Sequence, residues 1–240
     1  MQEELSRFSW IIGEQAINKL TSAHVAIIGV GGVGGAAVHA LARAGVGHLS
    51  IFDHDYIEKS NINRQVVAYQ STIGRLKVDV LKEQINDINP LIKVDAYPLF
   101  VTEANYEDIP WDTFDFVIDG VDNITTKLLV IEKCIHKNIP IISAMGAGNR
   151  LDPSQLIICD IFKTKNDPLA KVMRYELKKR AISQLVVAAS LELPTKQDDE
   201  AKRTPGSSPF VPNAMGLLIA SYVTQALVKV SKKDESNRND

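Results

Sequence analysis

Cysteine is almost missing from this 240-residue chain, which holds only Cys134 and Cys159. Two thiols exclude a disulfide framework and any cysteine-rich metal knuckle. Excess charge of one sign is missing too: 27 Lys and Arg against 29 Asp and Glu give a formal net charge of −2. The chain as a whole is therefore not an electrostatic nucleic-acid binder, and no DNA partner is expected, although a local basic patch is still allowed. The N-terminal MQEELSRF lacks the basic-then-apolar order of a secretory leader. No uninterrupted apolar run reaches the length of a membrane span. The longest, Ala214 to Val228, is broken by Ser221, Thr224 and Gln225 and reads as a packed helix, in a dimer or against a membrane surface. A cytoplasmic protein with no integral membrane segment is the expectation. What is present, 45% hydrophobic and 23% charged residues, is ordinary for a soluble globular domain.

Short apolar runs alternate with helical patterns through the first 145 residues, as in βαβ units. Strands are expected at His24–Gly29, His48–Asp53, Lys93–Tyr97, Phe114–Asp119 and Ile139–Ala144. Helices are expected at Val33–Ala44, Arg75–Ile88 and Asn123–Asn138. The fold class is α/β, Rossmann-like, with a mostly parallel central sheet and flanking helices. C-terminal strands at Gln155–Phe162 and Gln184–Ser190, a basic helix at Pro168–Arg180 and a final helix at Asn213–Val230 extend it. One domain is expected over 1–231, with a nucleotide-binding core at 14–145 and a substrate-side extension at 146–231. The polar stretch 194–209 reads as a mobile loop and 232–240 as a disordered tail.

Gly29, Gly31, Gly32 and Gly34 join the first strand to the first helix of this alternation. A tight turn there lets the backbone approach a phosphate, which then meets the free N–H groups and positive dipole end of the helix. Asp53 ends the second strand near the offset of a ribose-binding acid. These features alone also fit a dinucleotide-dependent oxidoreductase or a purely structural turn. That oxidoreductase would leave the next blocks unexplained: Asp55 with Ser60-Asn61-Ile62-Asn63-Arg64-Gln65, then Lys77, then Asp119-Gly120-Val121-Asp122-Asn123.

In this order and spacing, the blocks resemble the superfamily of ubiquitin-activating, molybdopterin-synthase-activating and thiamine-sulfur-carrier-activating enzymes. The resemblance implies ATP-dependent activation of a carboxylate as an acyl-adenylate, with Mg²⁺. It implies that Asp53 holds the ribose, that Asn61, Arg64 and Lys77 contact the triphosphate with Gln65 in support, and that Asp122 binds the metal. Asp55 and Asn123 belong to the same nucleotide-binding blocks. Arg7 stands where the superfamily reaches an arginine into a partner subunit, which implies a homodimer with composite sites; the further upstream arginine is replaced by Glu3 and Glu4. Each residue also has a plain structural reading: Lys77 as a solvated surface lysine, Asn61 and Arg64 as turn formers, Asp122-Asn123 as a helix cap.

Within the superfamily, the chain is similar almost end to end to the tRNA threonylcarbamoyladenosine dehydratases. Met145-Gly146-Ala147-Gly148-Asn149, Asp152-Pro153, Asp160-Ile161, Pro168-Leu169-Ala170-Lys171-Val172-Met173-Arg174 and Phe210-Val211-Pro212 carry this narrower likeness. The branch activates a threonyl carboxylate on tRNA, and a ureido nitrogen of the same nucleoside closes on it, so no catalytic cysteine is needed. Both cysteines here read as packed residues. Seven Lys or Arg lie between Lys163 and Arg180, against Asp167 and Glu176. Lys171, Arg174, Lys178, Lys179 and Arg180 are accordingly candidates for contact with the tRNA backbone rather than for base stacking, unless the run is a solvated helix face. Two alternatives stay open. One is an activating enzyme for a sulfur-carrier protein ending in Gly-Gly. The other is a non-catalytic nucleotide-binding scaffold partnered with a cysteine-desulfurase or sulfur-acceptor system.

Overall fold

The computed structural model describes residues 3–195 and 205–229. Seven strands form one sheet in the order β3-β2-β1-β4-β5-β7-β6. These are β1 (His24–Ile28), β2 (His48–Phe52), β3 (Lys93–Tyr97), β4 (Phe116–Asp119), β5 (Ile141–Ala144), β6 (Leu156–Asp160) and β7 (Val186–Ser190). Every neighbouring pair is parallel except β6 and β7, which pair antiparallel at one edge. The mostly parallel sheet is therefore as expected, and the strands of the 146–231 extension continue the same sheet. β3 spans its whole expected run and the other strands are one to three residues shorter than theirs, in part because runs such as Gln155–Phe162 carry on into 3-10 turns.

The helices are α1 (Ser6–Ile12), α2 (Glu14–Ser22), α3 (Gly32–Arg43), α4 (Lys77–Ile88), α5 (Ile124–His136), α6 (Pro168–Lys179) and α7 (Val211–Lys229). Alternating residues of β1 feed opposite faces, as the pleat requires. Val25 and Ile27 join a core with Val38 and Leu41 of α3 and Ile219 and Val223 of α7. Ala26 and Ile28 join another with Phe52, Trp111, Phe114 and Val130. A third core packs Met173 and Leu177 of α6 on Ile131 of α5 and Val187 of β7.

The pair α1 and α2 was not read from the sequence, although Ala16, Ile17 and Leu20 make a helical apolar stripe that α2 buries. Helix α4 starts two residues later than expected, since Leu76 is extended and bridges Tyr56 while the Arg75 carbonyl accepts the Ile57 N–H. Helix α7 is long and apolar enough to cross a bilayer by length and composition, yet it lies against α3. A Cβ on Gly216 would stand 2.3 Å from the Val33 carbonyl oxygen and 2.8 Å from the Ala36 Cβ, which shows how closely the two helices approach. Within the expected mobile loop, residues 196–204 lie outside the described residues, as does the tail 232–240.

Candidate active site

Strand order reverses between β1 and β4, so the connections leave in opposite directions and open a crevice at the carboxyl ends of the strands. Four loops enter it: Gly29–Gly31 after β1, Asp53 onward after β2, Gly120–Asn123 after β4 and Met145–Gly148 after β5. With Pro205–Ser207 and an apolar stretch at Leu99–Val101, they enclose a cleft of about 660 Å³. Gly29, Gly31, Gly32, Asp53, Asp55, Asn61, Arg64, Gln65, Lys77, Asp122 and Asn123 all line it. Sequence reasoning did not pick out Leu99–Val101 or Pro205–Ser207, since neither carries a chemical signature.

The glycine turn is built by close approach. Gly29 has φ +85°, and a Cβ on Gly34 would sit 1.9 Å from the Gly29 carbonyl oxygen. Gly34 therefore stands behind the turn as a packing residue and does not itself line the cleft. Helix α3 has no side-chain cap at its N-terminus, so its first N–H groups stay open to an anion.

Asp53 is buried, and its carboxylate accepts the Val30 N–H at 2.9 Å and the Asp55 N–H at 2.9 Å, which ties the glycine turn to the end of β2. Lys77 is no surface lysine: it is 5% exposed. It opens α4, where the helix dipole disfavours a cation, and two carboxylates offset that. Its Nζ donates to Asp55 Oδ2 at 2.6 Å and lies 4.0 Å from Asp53 Oδ1. Asn61 accepts the Glu58 N–H in a capping box, the local role foreseen for a turn former. The Arg64 guanidinium donates to the Ser60 carbonyl and to Asn63 Oδ1, and no carboxylate pairs with it among the described residues. Gln65 is buried, and its Oε1 has no hydrogen-bond partner among the described residues. Asn123 caps α5 through the Thr126 N–H at 3.0 Å, and Asp122 beside it is exposed.

Beneath the β4 loop lies a charged brace that sequence reasoning missed. Lys127 Nζ donates to Asp119 Oδ2 at 2.9 Å and to Ser143 Oγ at 3.1 Å, and all three residues are 0% exposed. A lysine eight residues after an acid at a strand end was the available signal.

Three groups lie outside the cleft of their own chain. Arg7 is exposed on α1, next to Trp10 and Ile11, which are 77% and 80% exposed. The Cys134 thiol is buried and its pKa is pushed up by desolvation; Cys159 is half-buried and raised for the same reason. On α6, Lys179 and Arg180 both pair with Glu176, Arg180 also reaches Glu132, and Arg174 bonds Thr164. Lys178 stands over the Phe162 ring, and Lys171 faces no carboxylate among the described residues. Tyr175, 62% exposed beneath Lys179, gives the helix an aromatic face that the expectation of purely backbone contacts left out.

A glycine turn, a buried acid at the end of β2 and three polar blocks on one cleft agree with the match of the ThiF family profile to residues 4–239. The chain belongs to the ThiF family. Among relatives, the tRNA threonylcarbamoyladenosine dehydratase of Bacillus subtilis is 39% identical over 244 residues, covering 95% of this chain and 96% of that protein. The Haemophilus influenzae protein of the same name is 42% identical over 164 residues, covering 68% of this chain and 63% of that one. The AMP complex of the Escherichia coli tRNA N6-threonylcarbamoyladenosine dehydratase, TcdA, superposes with a TM-score of 0.89 at 29% identity, over 95% of each chain. Its ATP complex gives 0.86 at 28% identity, over 99% of this chain and 97% of that one.

Proposed function

We propose that this ThiF-family protein is an ATP-dependent tRNA threonylcarbamoyladenosine dehydratase. The observation that carries the reading is one cleft at the sheet's switch point, holding every nucleotide-handling block and no thiol. Full-length similarity to the Bacillus subtilis dehydratase narrows the substrate.

A triphosphate fits the residues present. The uncapped start of α3 offers N–H donors and Arg64 offers a guanidinium that no carboxylate pairs among the described residues, while the buried Gln65 Oε1, an acceptor, suits a donor on the nucleotide such as a hydroxyl. Asp53 is fixed by two backbone N–H groups and keeps further lone pairs for ribose hydroxyls. Arg64 and Lys77 neutralise charge on the phosphates as pyrophosphate leaves. Asp122, exposed in the cleft, would hold Mg²⁺, which supplies charge neutralisation at the phosphate oxygens when bound. Asn123 fixes the start of the helix behind Asp122, and Asn61 shapes the turn that presents Arg64.

The threonyl carboxylate forms a bond to the α-phosphorus as the bond to pyrophosphate breaks. The ureido nitrogen of the same nucleoside then attacks the acyl carbon. AMP departs with the carboxylate oxygen, and the nitrogen gives up its proton. The ring closes with net loss of one water. An intramolecular nucleophile replaces a thiol relay by proximity, in keeping with Cys134 and Cys159 both lying off the cleft.

We further place Arg7 in the active site of a second copy, giving a homodimer with composite sites. The support is an exposed Arg7, without an ion pair among the described residues, on a helix that also exposes Trp10 and Ile11. For tRNA, Lys171 and Lys178 are the freer cations of α6, whereas Arg174, Lys179 and Arg180 would exchange present partners for phosphate. A cytoplasmic setting, where ATP and tRNA meet, suits this reading. The test is mass spectrometry of nucleosides from tRNA bearing threonylcarbamoyladenosine after incubation with the protein and Mg–ATP. ATP-dependent loss of one water is expected; an intact nucleoside together with adenylation of a Gly-Gly carrier would refute the tRNA assignment.

A further inference from the structure

Of the cleft's lining residues, the carboxylates and the Lys and Arg side chains are Asp53, Asp55, Arg64, Lys77 and Asp122. The parts contributed by Gly146–Gly148 and Pro205–Ser207 carry none, although they meet the same space. These two neutral segments are far apart in sequence, and specific asparagine contacts bring them together.

Asn149 has φ +57°, a conformation that asparagine tolerates better than most residues. Its N–H donates to the Gly206 carbonyl at 2.8 Å, and its Oδ1 accepts the Gly206 N–H at 2.6 Å. Its own carbonyl accepts the Thr195 N–H at 2.8 Å. Asn63 holds the other end: its Nδ2 donates to the Ser207 carbonyl at 2.9 Å while its Oδ1 accepts from the Arg64 guanidinium at 2.8 Å. Packing leaves little slack, since a Cβ on Gly148 would lie 3.0 Å from Pro205 Cβ.

We propose that Asn149 and Asn63 are positioning residues that build the uncharged, acyl-substrate wall of the cleft. Asn149 clips Pro205–Ser207 onto the loop after β5. Asn63 ties the same segment to Arg64, so the wall and the phosphate-binding arginine are set together. The proposal rests on the dehydratase reading for the identity of the acyl substrate. The wall itself rests on the contacts alone. A neutral wall made of backbone and small side chains suits the uncharged ureido part of the threonylcarbamoyl arm, which must be held beside the phosphates without competing for their cations.

Asn149→Gly keeps the positive φ and both backbone bonds and removes only the side-chain acceptor, whereas Asn149→Asp retains an acceptor. With purified full-length protein, Asn149→Gly should raise the KM for tRNA about tenfold, the effect of one lost hydrogen bond in a binding wall, and leave the Kd for ATP within about twofold. Asn149→Asp should restore the KM. Asn63→Ala should weaken both ATP and tRNA, because Arg64 loses its partner. An unchanged KM in Asn149→Gly, or equal losses for ATP and tRNA, would overturn the assignment. Hydrogen exchange of residues 205–215 gives a reading that needs no turnover. Exchange at Gly206 should quicken about tenfold in Asn149→Gly with the melting temperature nearly constant, and unaltered exchange would sink the proposal. If wild-type protein does not dehydrate the nucleoside yet Gly206 exchange responds as stated, the dehydratase reading fails and the wall stands.

Discussion

His24 begins β1, far along the strands from the cleft, and stacks face to face on His48 with ring centroids 3.3 Å apart. Its Nε2 meets Ser50 Oγ at 2.8 Å, and the Thr113 backbone supplies a second hydrogen bond. Desolvation, with the neighbouring His48 next, pushes its pKa down from 6.5 to about 4; Asp95 opposes this and Lys93 adds to it. The neutral imidazole is thus the folded form. The stabilising contribution is complete above the unfolded pKa and is lost as pH falls from about 6.5 toward 4. Between pH 7.5 and pH 5.0 the linkage amounts to about 2 kcal/mol, because the unfolded imidazole binds a proton that the folded one refuses. His24→Gln keeps a partner for Ser50 but does not titrate. Urea unfolding of both proteins at the two pH values should show the wild type losing about 2 kcal/mol more than the variant on acidification. Parallel losses would mean that His24 titrates normally and that the stacked pair is not desolvated as its burial implies.

Gly34→Ala puts a methyl 1.9 Å from the Gly29 carbonyl, so the turn must shift; loss of at least about 2 kcal/mol in a denaturation series is expected, and a neutral result would disprove the close approach. Arg64→Ala and Asp122→Ala should each abolish tRNA-dependent pyrophosphate–ATP exchange while circular dichroism and melting stay near wild type, because neither side chain is buried; retained exchange in both would remove the site assignment. Cys134→Ala and Cys159→Ala should keep turnover per folded molecule, and loss of it would reinstate a thiol intermediate. Lys127→Met strands the Asp119 carboxylate at 0% exposure and should cost about 3–5 kcal/mol, checked by chemical denaturation, with Asp119→Asn in the same chain recovering part of it.

Periodicity and apolar runs were enough to find every strand, because a parallel sheet buries both faces of its strands and leaves continuous hydrophobic stretches. They could not give the sheet order. Strand β7 inserts between β5 and β6, and the antiparallel edge follows from where the chain turns back, which composition does not encode. The charged liners of the cleft were legible because their types and spacing are dictated by phosphate chemistry. Of the neutral ones, Leu99–Val101 and Pro205–Ser207 were not, since neither carries a chemical signature, and Gly146–Gly148 stood out by family likeness with no place in the cleft. Lys77 shows how sequence position misleads: it opens a helix whose far face is apolar, which suggests solvent, and only the fold places Asp53 and Asp55 against its ammonium.

The division between rigid and movable parts of the site follows from the same contacts. Asp119 and Ser143 lie at paired positions on β4 and β5, and Lys127 joins them where no water reaches. A buried ion pair is weak evidence for stability, but one with every oxygen engaged fixes geometry. Asp119 also accepts the Val121 N–H at 3.2 Å, so the loop carrying Asp122 starts from a fixed point. Two residues past Ser143, the Met145 N–H bonds the Ala188 carbonyl, and the Gly146 N–H bonds Asp167, whose carboxylate lies 3.7 Å from buried Arg150. Both floor loops are therefore pinned by groups away from the cleft. Among the described residues, the Arg64 side chain is held only by a main-chain carbonyl and Asn63, bonds that a phosphate can outcompete. On the proposed reading this arrangement serves adenylation: a fixed floor would align the carboxylate with the α-phosphorus, and Arg64 would follow the charge onto departing pyrophosphate.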